Sequence, residues 1–98
     1  MFRSPFVLAV QLRRELLEEE IGRLQELPYS LWRDLLGRSL IRRARARDGR
    51  SYRIRTSAVR STPRSEDIRV IVSLETPALR RRLLRQSFTI TPDNRFAE

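Results

Sequence analysis

The chain has 98 residues, of which 40% are hydrophobic and 34% charged, a composition typical of one small globular domain. It contains no cysteine and no histidine, which excludes a disulfide scaffold, thiol catalysis, Cys/His zinc sites and imidazole acid–base chemistry. The formal net charge of +9 first suggests a nucleic-acid partner. All 21 basic residues are arginine, which weakens this inference, because a surface selected for phosphate contacts commonly uses lysine as well.

The positive charge is concentrated in one segment of the chain. Residues 1–38 are neutral, residues 39–64 carry +8, and residues 65–98 carry +1. The complete absence of lysine is also typical of GC-rich codon usage, so the sequence leaves open how much of the arginine is functional. The position of residues 39–64 in the fold therefore becomes the main question about function.

A long helix is predicted over residues 5–26. Ser4 and Pro5 are typical of an N-cap and a first helical position, and apolar residues then recur at steps of three and four. A helix of 20 residues spans about 30 Å, which is long for so small a domain. Two interpretations stay open: the apolar stripe packs entirely on the domain, or part of the helix extends past the core and pairs with a second copy.

A short helix is predicted over residues 30–37. Ser30 has the residue type of an N-cap, and Gly37 suits the position after the helix end. Trp32 lies on the apolar side of this helix. We expect it to seal the core between helix and sheet, with stacking on a nucleic-acid base as the alternative.

Two alternating runs joined by Asp48-Gly49 predict a β-hairpin over residues 40–59. A two-residue loop would mix apolar and charged residues on both faces, whereas a three-residue loop with a Gly49 bulge separates them. The bulged register is therefore predicted. Its core face comprises Leu40, Ala44, Tyr52, Ile54 and Ala58, and its other face comprises Arg43, Arg45, Arg53 and Arg55.

The last third of the chain predicts the remainder of the sheet. Residues 68–75 are rich in β-branched side chains, which indicates either the centre of the sheet or a well-covered strand. Residues 77–85 fit either a short helix or an irregular connection, and residues 87–91 fit a short fourth strand. The predicted fold is a single α+β domain over residues 1–98, with a long and a short helix packed on an antiparallel sheet of three to four strands.

A series of short motifs follows the first helix. Residues 27–38 read Leu-Pro-Tyr-Ser-Leu-Trp, then Leu-Leu-Gly-Arg after two residues; the Asp-Gly hairpin follows, then Ile-Arg-Val-Ile-Val at 68–72 and Ser-Phe-Thr-Ile-Thr-Pro-Asp at 87–93. This order resembles a family of small uncharacterised bacterial α+β domains, over roughly residues 27–98. The resemblance implies helices packed on an antiparallel sheet and implies no activity. The arginine content of the hairpin departs from the family pattern.

The sequence indicates no enzyme, cofactor, metal site or small-molecule substrate. Glu18, Glu19 and Glu20 are consecutive and point in different directions on a helix, and Glu66-Asp67 is interpreted as a solvated surface pair. The longest apolar run, Phe6 to Val10, has five residues, against the ~20 that a membrane span needs. No secretory signal is recognised, and a cytoplasmic location is expected.

The candidate binding residues are the arginines of the hairpin. They are Arg42, Arg43, Arg45, Arg53 and Arg55. Because like charges opposite one another destabilise a hairpin, these arginines require an anion nearby. Either acidic residues of this chain neutralise them, with Glu66, Asp67 and Glu75 as candidates, or the face binds phosphates or an acidic protein.

The expected function is therefore that of a non-catalytic binding or adaptor domain. It would contact an acidic protein partner, or a second copy of itself, through the arginine-rich sheet face and the first helix. The alternative is a protein that binds nucleic acid without sequence specificity through the same arginines.

Overall fold

The computed structural model describes residues 5–76 and 82–97, which form two helices and a five-stranded antiparallel sheet. The elements in chain order are α1 (Pro5–Leu24), α2 (Tyr29–Asp34), β1 (Ser39–Arg45), β2 (Ser51–Arg60), β3 (Ile68–Glu75), β4 (Arg82–Ile90) and β5 (Phe96–Ala97). The strands follow the same order in the sheet, so β1 and β5 form its edges. The predicted α+β class is confirmed, with one strand more than the sequence indicated.

The β1–β2 hairpin has the predicted register. Ala44 lies opposite Tyr52, and Arg43 lies opposite Arg53. The amide of Ala46 donates to the Arg50 carbonyl at 2.9 Å and closes a three-residue loop over 47–49. Gly49 has a φ of 86°, which glycine adopts without a steric penalty. This turn decides which hairpin side chains face the helices.

The core lies between β3 and the two helices. Ile68, Val70, Val72 and Leu74 alternate along β3 and are fully buried, which confirms the central or well-covered strand predicted from the sequence. Burial of each such side chain stabilises the fold by about 1.5–3 kcal/mol. Trp32 is 1% exposed and contacts Phe88 edge-to-face, with 6.2 Å between ring centroids, so it seals the core as predicted.

The two helices are shorter than predicted. α1 ends at Leu24 instead of residue 26. Pro28, in extended conformation, stands at the N-cap position of α2, and no side chain caps this helix, so the assignment of Ser30 as N-cap is wrong. The carbonyl of Pro28 accepts the Leu31 amide at 3.1 Å and starts the helix one residue early. Gly37, with φ 76°, follows the helix end and donates its amide to Ala58 of β2 at 3.0 Å.

The fourth strand is longer than predicted. Residues 82–85 belong to β4, so the helix proposed for residues 77–85 is wrong there; residues 77–81 lie outside the described residues. The reason is the ladder with β3, in which Leu84 lies opposite Leu74 and Arg85 opposite Ser73. Because β3 is central, its peptide groups bond on both sides, and this pairing outweighs the weak helical pattern. A tight turn after Thr91 then adds β5.

The sheet has one face covered by the helices and one that neither helix covers. The inner face carries Tyr52, Ile54 and Val70, and α1 reaches it through the Arg13 side chain, whose Nε donates to the Tyr52 hydroxyl at 3.2 Å. The opposite side chains of the same strands form the outer face. The bulged register therefore decides which arginines lie away from the helices.

Candidate anion-binding face

The outer face presents arginines in rows that run across neighbouring strands. Arg43 of β1, Arg53 of β2 and Glu75 of β3 are successive partners in one row. The next row contains Ile41, Arg55, Ser73 and Arg85. Residues of one row are about 4.8 Å apart from strand to strand, and successive rows are about 6.6 Å apart along a strand, so guanidinium groups of neighbouring rows can contact one extended ligand.

The outer face also contains two arginines that were not among the residues predicted from the sequence. Arg69 of β3 lies opposite Val59 of β2, and Arg85 of β4 lies opposite Ser73 of β3. Alternation within the predicted strand 68–75 already distinguished Arg69 from the buried Ile68 and Val70, and this signal was available. Arg85 was missed because residues 77–85 were not recognised as part of a strand.

We define the arginine face as a set of six arginines on the outer face of strands β1 to β4, at positions where the strand pairing is regular. They are Arg43, Arg45, Arg53, Arg55, Arg69 and Arg85. Arg82 of β4 also lies opposite Glu75, but the bulge there interrupts the alternation, so Arg82 is not counted in this set. The one acidic residue in the same rows is Glu75, which is 8% exposed. The arginine face therefore retains a net charge of +5 after Glu75 is counted.

The chain neutralises one of these six arginines. The Nε atom of Arg55 donates to Oε2 of Glu75 at 3.1 Å. Within residues 5–76 and 82–97 the other five guanidinium groups have no hydrogen-bond or ion-pair partner. Glu66 and Asp67 do not contact the arginine face there, so of the three acids predicted to neutralise it, Glu75 alone does so.

Arg42 does not belong to the arginine face, which corrects its inclusion among the candidate binding residues. It lies opposite Ile54 on the inner face, where its Nε donates to Oε2 of Glu20 at 2.9 Å. Arg23 binds the other oxygen of the same carboxylate. Leu40, which the sequence placed on the core face, lies on the same side of β1 but stays 48% exposed. The reason is that β1 is at the edge of the sheet, where the helices cover it only in part.

On the inner face, the Glu20 carboxylate is the shared partner of Arg42 and Arg23. Its side chain is 2% exposed, and burial by itself would raise its pKa. The hydrogen bonds and charges of Arg42 and Arg23 together outweigh that effect, so the Glu20 pKa lies below its usual 4.5. Arg42 therefore has a structural role, in which it ties β1 to α1.

The remaining side chains of the outer face are small or aliphatic. Hydroxyl groups of Ser57, Ser73 and Ser87 lie between the arginines, and Ile41 and Val59 are 51% and 39% exposed. Among its described residues, strands β1 to β4 place no aromatic ring on this face. It can thus form bidentate guanidinium contacts to carboxylates or phosphates, but it offers no platform for stacked bases.

The described part of the chain has no helix that is long and apolar enough to span a membrane. Comparison with known proteins found no matching family model, no similar curated protein and no similar solved structure. The resemblance to small bacterial α+β domains therefore stays a prediction.

Proposed function

We propose that this protein is a non-catalytic binding domain for an acidic protein partner, and that the arginine face is its contact surface. The observation that carries the proposal is the set of five outer-face guanidinium groups without a partner among the described residues. A stable sheet with arginines directly opposite one another gains free energy when an anion lies between them. Arginine is also enriched in protein interfaces, where its planar group binds carboxylates in a bidentate way.

The chemistry of the arginine face favours an acidic protein over a nucleic acid and over a second copy of this chain. Exposed aliphatic side chains such as Ile41 and Val59 lie among the arginines and suit a protein surface better than a sugar–phosphate backbone. Self-association through this face would bring two positive surfaces together, which is unfavourable. α1 packs on the inner face of the sheet, so a partner docked flat on the arginine face does not touch it.

The test compares two double variants that lose the same charge. Arg43→Gln/Arg53→Gln removes two facing arginines of the arginine face. Arg14→Gln/Arg33→Gln removes two exposed arginines from α1 and α2 and is the matched control. Binding of an Asp/Glu-rich peptide that also contains Leu and Thr is measured by fluorescence anisotropy at about 150 mM salt. We expect the first variant to weaken binding about tenfold and the control to change it less than twofold.

An equal loss of affinity in both variants would show that net charge alone drives binding and would overturn the proposal. Mixed-sequence single-stranded DNA is the competing ligand in the same assay. If the DNA binds more tightly than the peptide and depends on Arg43 and Arg53, the protein is a nucleic-acid binder. In that case four to five phosphate contacts on a single strand predict a log–log salt slope of about −3.

A further inference from the structure

The free edge of the sheet next to the arginine face is strand β1, and six of its seven residues are exposed. β1 pairs with β2 on one side, and no other described strand lies on its other side. A strand in this position presents a row of peptide groups that can bond to a further strand. The following inference rests on the proposed function and specifies the conformation in which the acidic partner binds.

The direction of the β1 peptide groups follows from the hairpin turn. The Ala46 amide bonds to Arg50, and the hydrogen-bonded positions of an antiparallel pair alternate, so Ala44, Arg42 and Leu40 bond to β2. The intervening residues Ile41, Arg43 and Arg45 direct their N–H and C=O groups to the open edge. The Arg43 carbonyl is accordingly available to the Arg42 side chain, whose Nη1 lies 3.4 Å from it.

A cavity of about 220 Å³ lies below the same edge, between the end of α1 and the hairpin. Three consecutive residues of β1, from Leu40 to Arg42, border it, and Leu24 and Ile54 form aliphatic walls. Glu20, Arg23 and Thr56 complete the lining, and the Glu20 carboxylate is already paired with Arg23 and Arg42. A side chain on the inner face of an added strand, placed beside Leu40, would reach this cavity. The volume and the lining suit one aliphatic side chain of the partner.

The charges of β1 discriminate between possible added strands. A second copy of β1 would bring Arg42, Arg43 and Arg45 against the same residues, and like charges on neighbouring strands repel. An acidic strand would instead place carboxylates directly beside Arg43 and Arg45, neither of which has a partner among the described residues. Charge complementarity therefore selects an acidic segment over self-pairing through this edge.

We infer that an extended acidic segment of the partner adds to β1 as a sixth, antiparallel strand. Its residues opposite Arg45 and Arg43 are acidic and lie on the outer face, and its residue opposite Ile41 is aliphatic. The next residue, opposite Leu40, is also aliphatic and enters the cavity. In chain direction the recognised pattern is acidic, any residue, acidic, any residue, aliphatic, aliphatic, within an extended segment. Main-chain hydrogen bonds supply affinity and alternate side chains supply specificity.

The test uses the unmodified protein and a peptide, Thr-Glu-Thr-Glu-Thr-Val-Leu-Thr, that carries this pattern. One version is N-methylated at the two glutamates and the valine, whose amides would bond to β1. A matched version is N-methylated at the intervening threonines and at the leucine, whose amides would point away from β1. We expect the first version to lose at least tenfold in affinity and the second to stay within about threefold of the parent peptide. Amide hydrogen exchange at Ile41, Arg43 and Arg45 is expected to slow when the parent peptide binds.

The outcomes separate the edge from the arginine face. If the parent peptide binds, both N-methylated versions bind equally and exchange in β1 is unchanged, strand addition is wrong while the arginine face remains the binding surface. If this peptide fails to bind while the acidic peptide of the preceding test binds through Arg43 and Arg53, strand addition is again wrong and the proposed function stands. If neither peptide binds, both proposals fail.

Discussion

Glu20 is a buried carboxylate on α1 whose two oxygens are shared between arginines of different elements. Arg42 of β1 binds one oxygen and Arg23 of α1 binds the other. Both arginines remain about half exposed, at 47% and 59% of their side-chain areas, so much of their own hydration is kept. A buried charge with two donors is stabilising where the same charge alone would be costly. Glu20 thus fixes the edge strand β1 to the helix layer.

Glu20→Gln is expected to lower the free energy of unfolding at neutral pH by about 1–3 kcal/mol, because the hydrogen bonds lose their ionic character. The Glu20 pKa is lowered in the folded state, so its stabilisation is complete above the unfolded value of about 4.5. It is lost as the pH falls from there through the folded pKa. The stability difference between wild type and Glu20→Gln should therefore shrink in acid. Urea unfolding across this pH range measures it.

The control for this measurement is Glu18→Gln, which changes an exposed carboxylate of the same helix. We expect it to leave the stability within about 0.5 kcal/mol of wild type at every pH. A Glu20→Gln difference that stays constant below pH 4 would contradict the assigned role of the carboxylate.

In the hairpin, the burial of apolar side chains on one face opposes the repulsion between arginines on the other face. Arg43 and Arg53 form a non-hydrogen-bonded pair, the kind with the shorter spacing of about 4.5 Å between Cα atoms. The alternation that buries Tyr52 and Ile54 is what forces these arginines onto one face. The turn at Gly49 matches this register, so the burial of the apolar side chains and the turn both place the arginines on one face.

Two glycine substitutions should have opposite effects on stability. Gly49→Ala places a side chain at φ 86° and should cost about 1–2 kcal/mol, although no other atom lies near the added methyl group. Gly22→Ala adds the same group within α1, where the space is also open, and should stabilise the protein by about 0.5 kcal/mol through helix propensity. Thermal or urea unfolding of both variants checks the pair. Equal effects of the two substitutions would show that the turn does not hold Gly49 in the left-handed conformation.

At the scale of the whole molecule, the charge is distributed unequally between the two faces of one sheet. On the inner face, the buried Glu20 carboxylate is paired with Arg42 and Arg23. The arginine face combines its six arginines with one carboxylate, that of Glu75. A molecule of 98 residues with a net charge of +9 also repels itself as a whole, and this repulsion opposes the compact state. An acidic partner would reduce both the repulsion among the arginines of this face and the repulsion within the molecule as a whole.

The free energy of unfolding is expected to rise with salt, by about 1 kcal/mol between 0.01 and 0.15 M NaCl. Over this range the screening length falls from about 30 to 8 Å, which weakens the long-range repulsion more than the short ion pairs. Urea, which is uncharged, is the suitable denaturant. The Arg43→Gln/Arg53→Gln variant should show a smaller rise, because it lacks two of the repelling charges. A decrease of stability with salt in the wild type would mean that attractive ion pairs dominate instead.

The sequence by itself determined the local features with a strong physical signal. The alternation of residues 40–59 around Asp48-Gly49 allows one register that separates apolar from charged side chains, and that register is present. The β-branched run 68–75 indicated a central or a well-covered strand, and β3 is both, with its whole inner side buried. The α+β class and the core position of Trp32 followed from the same patterns.

Only the tertiary structure decided which partner each arginine has. The alternation of the hairpin already separates Arg42 from Arg43, but it cannot show that Arg42 binds Glu20, which lies 22 residues earlier on another element. Arg85 joined the arginine face because the ladder with β3 extended β4 beyond its local preference. The open edge of β1 and the cavity beneath it are likewise properties of strand order and of where α1 ends. Such features depend on contacts between distant residues, and local periodicity carries no information about them.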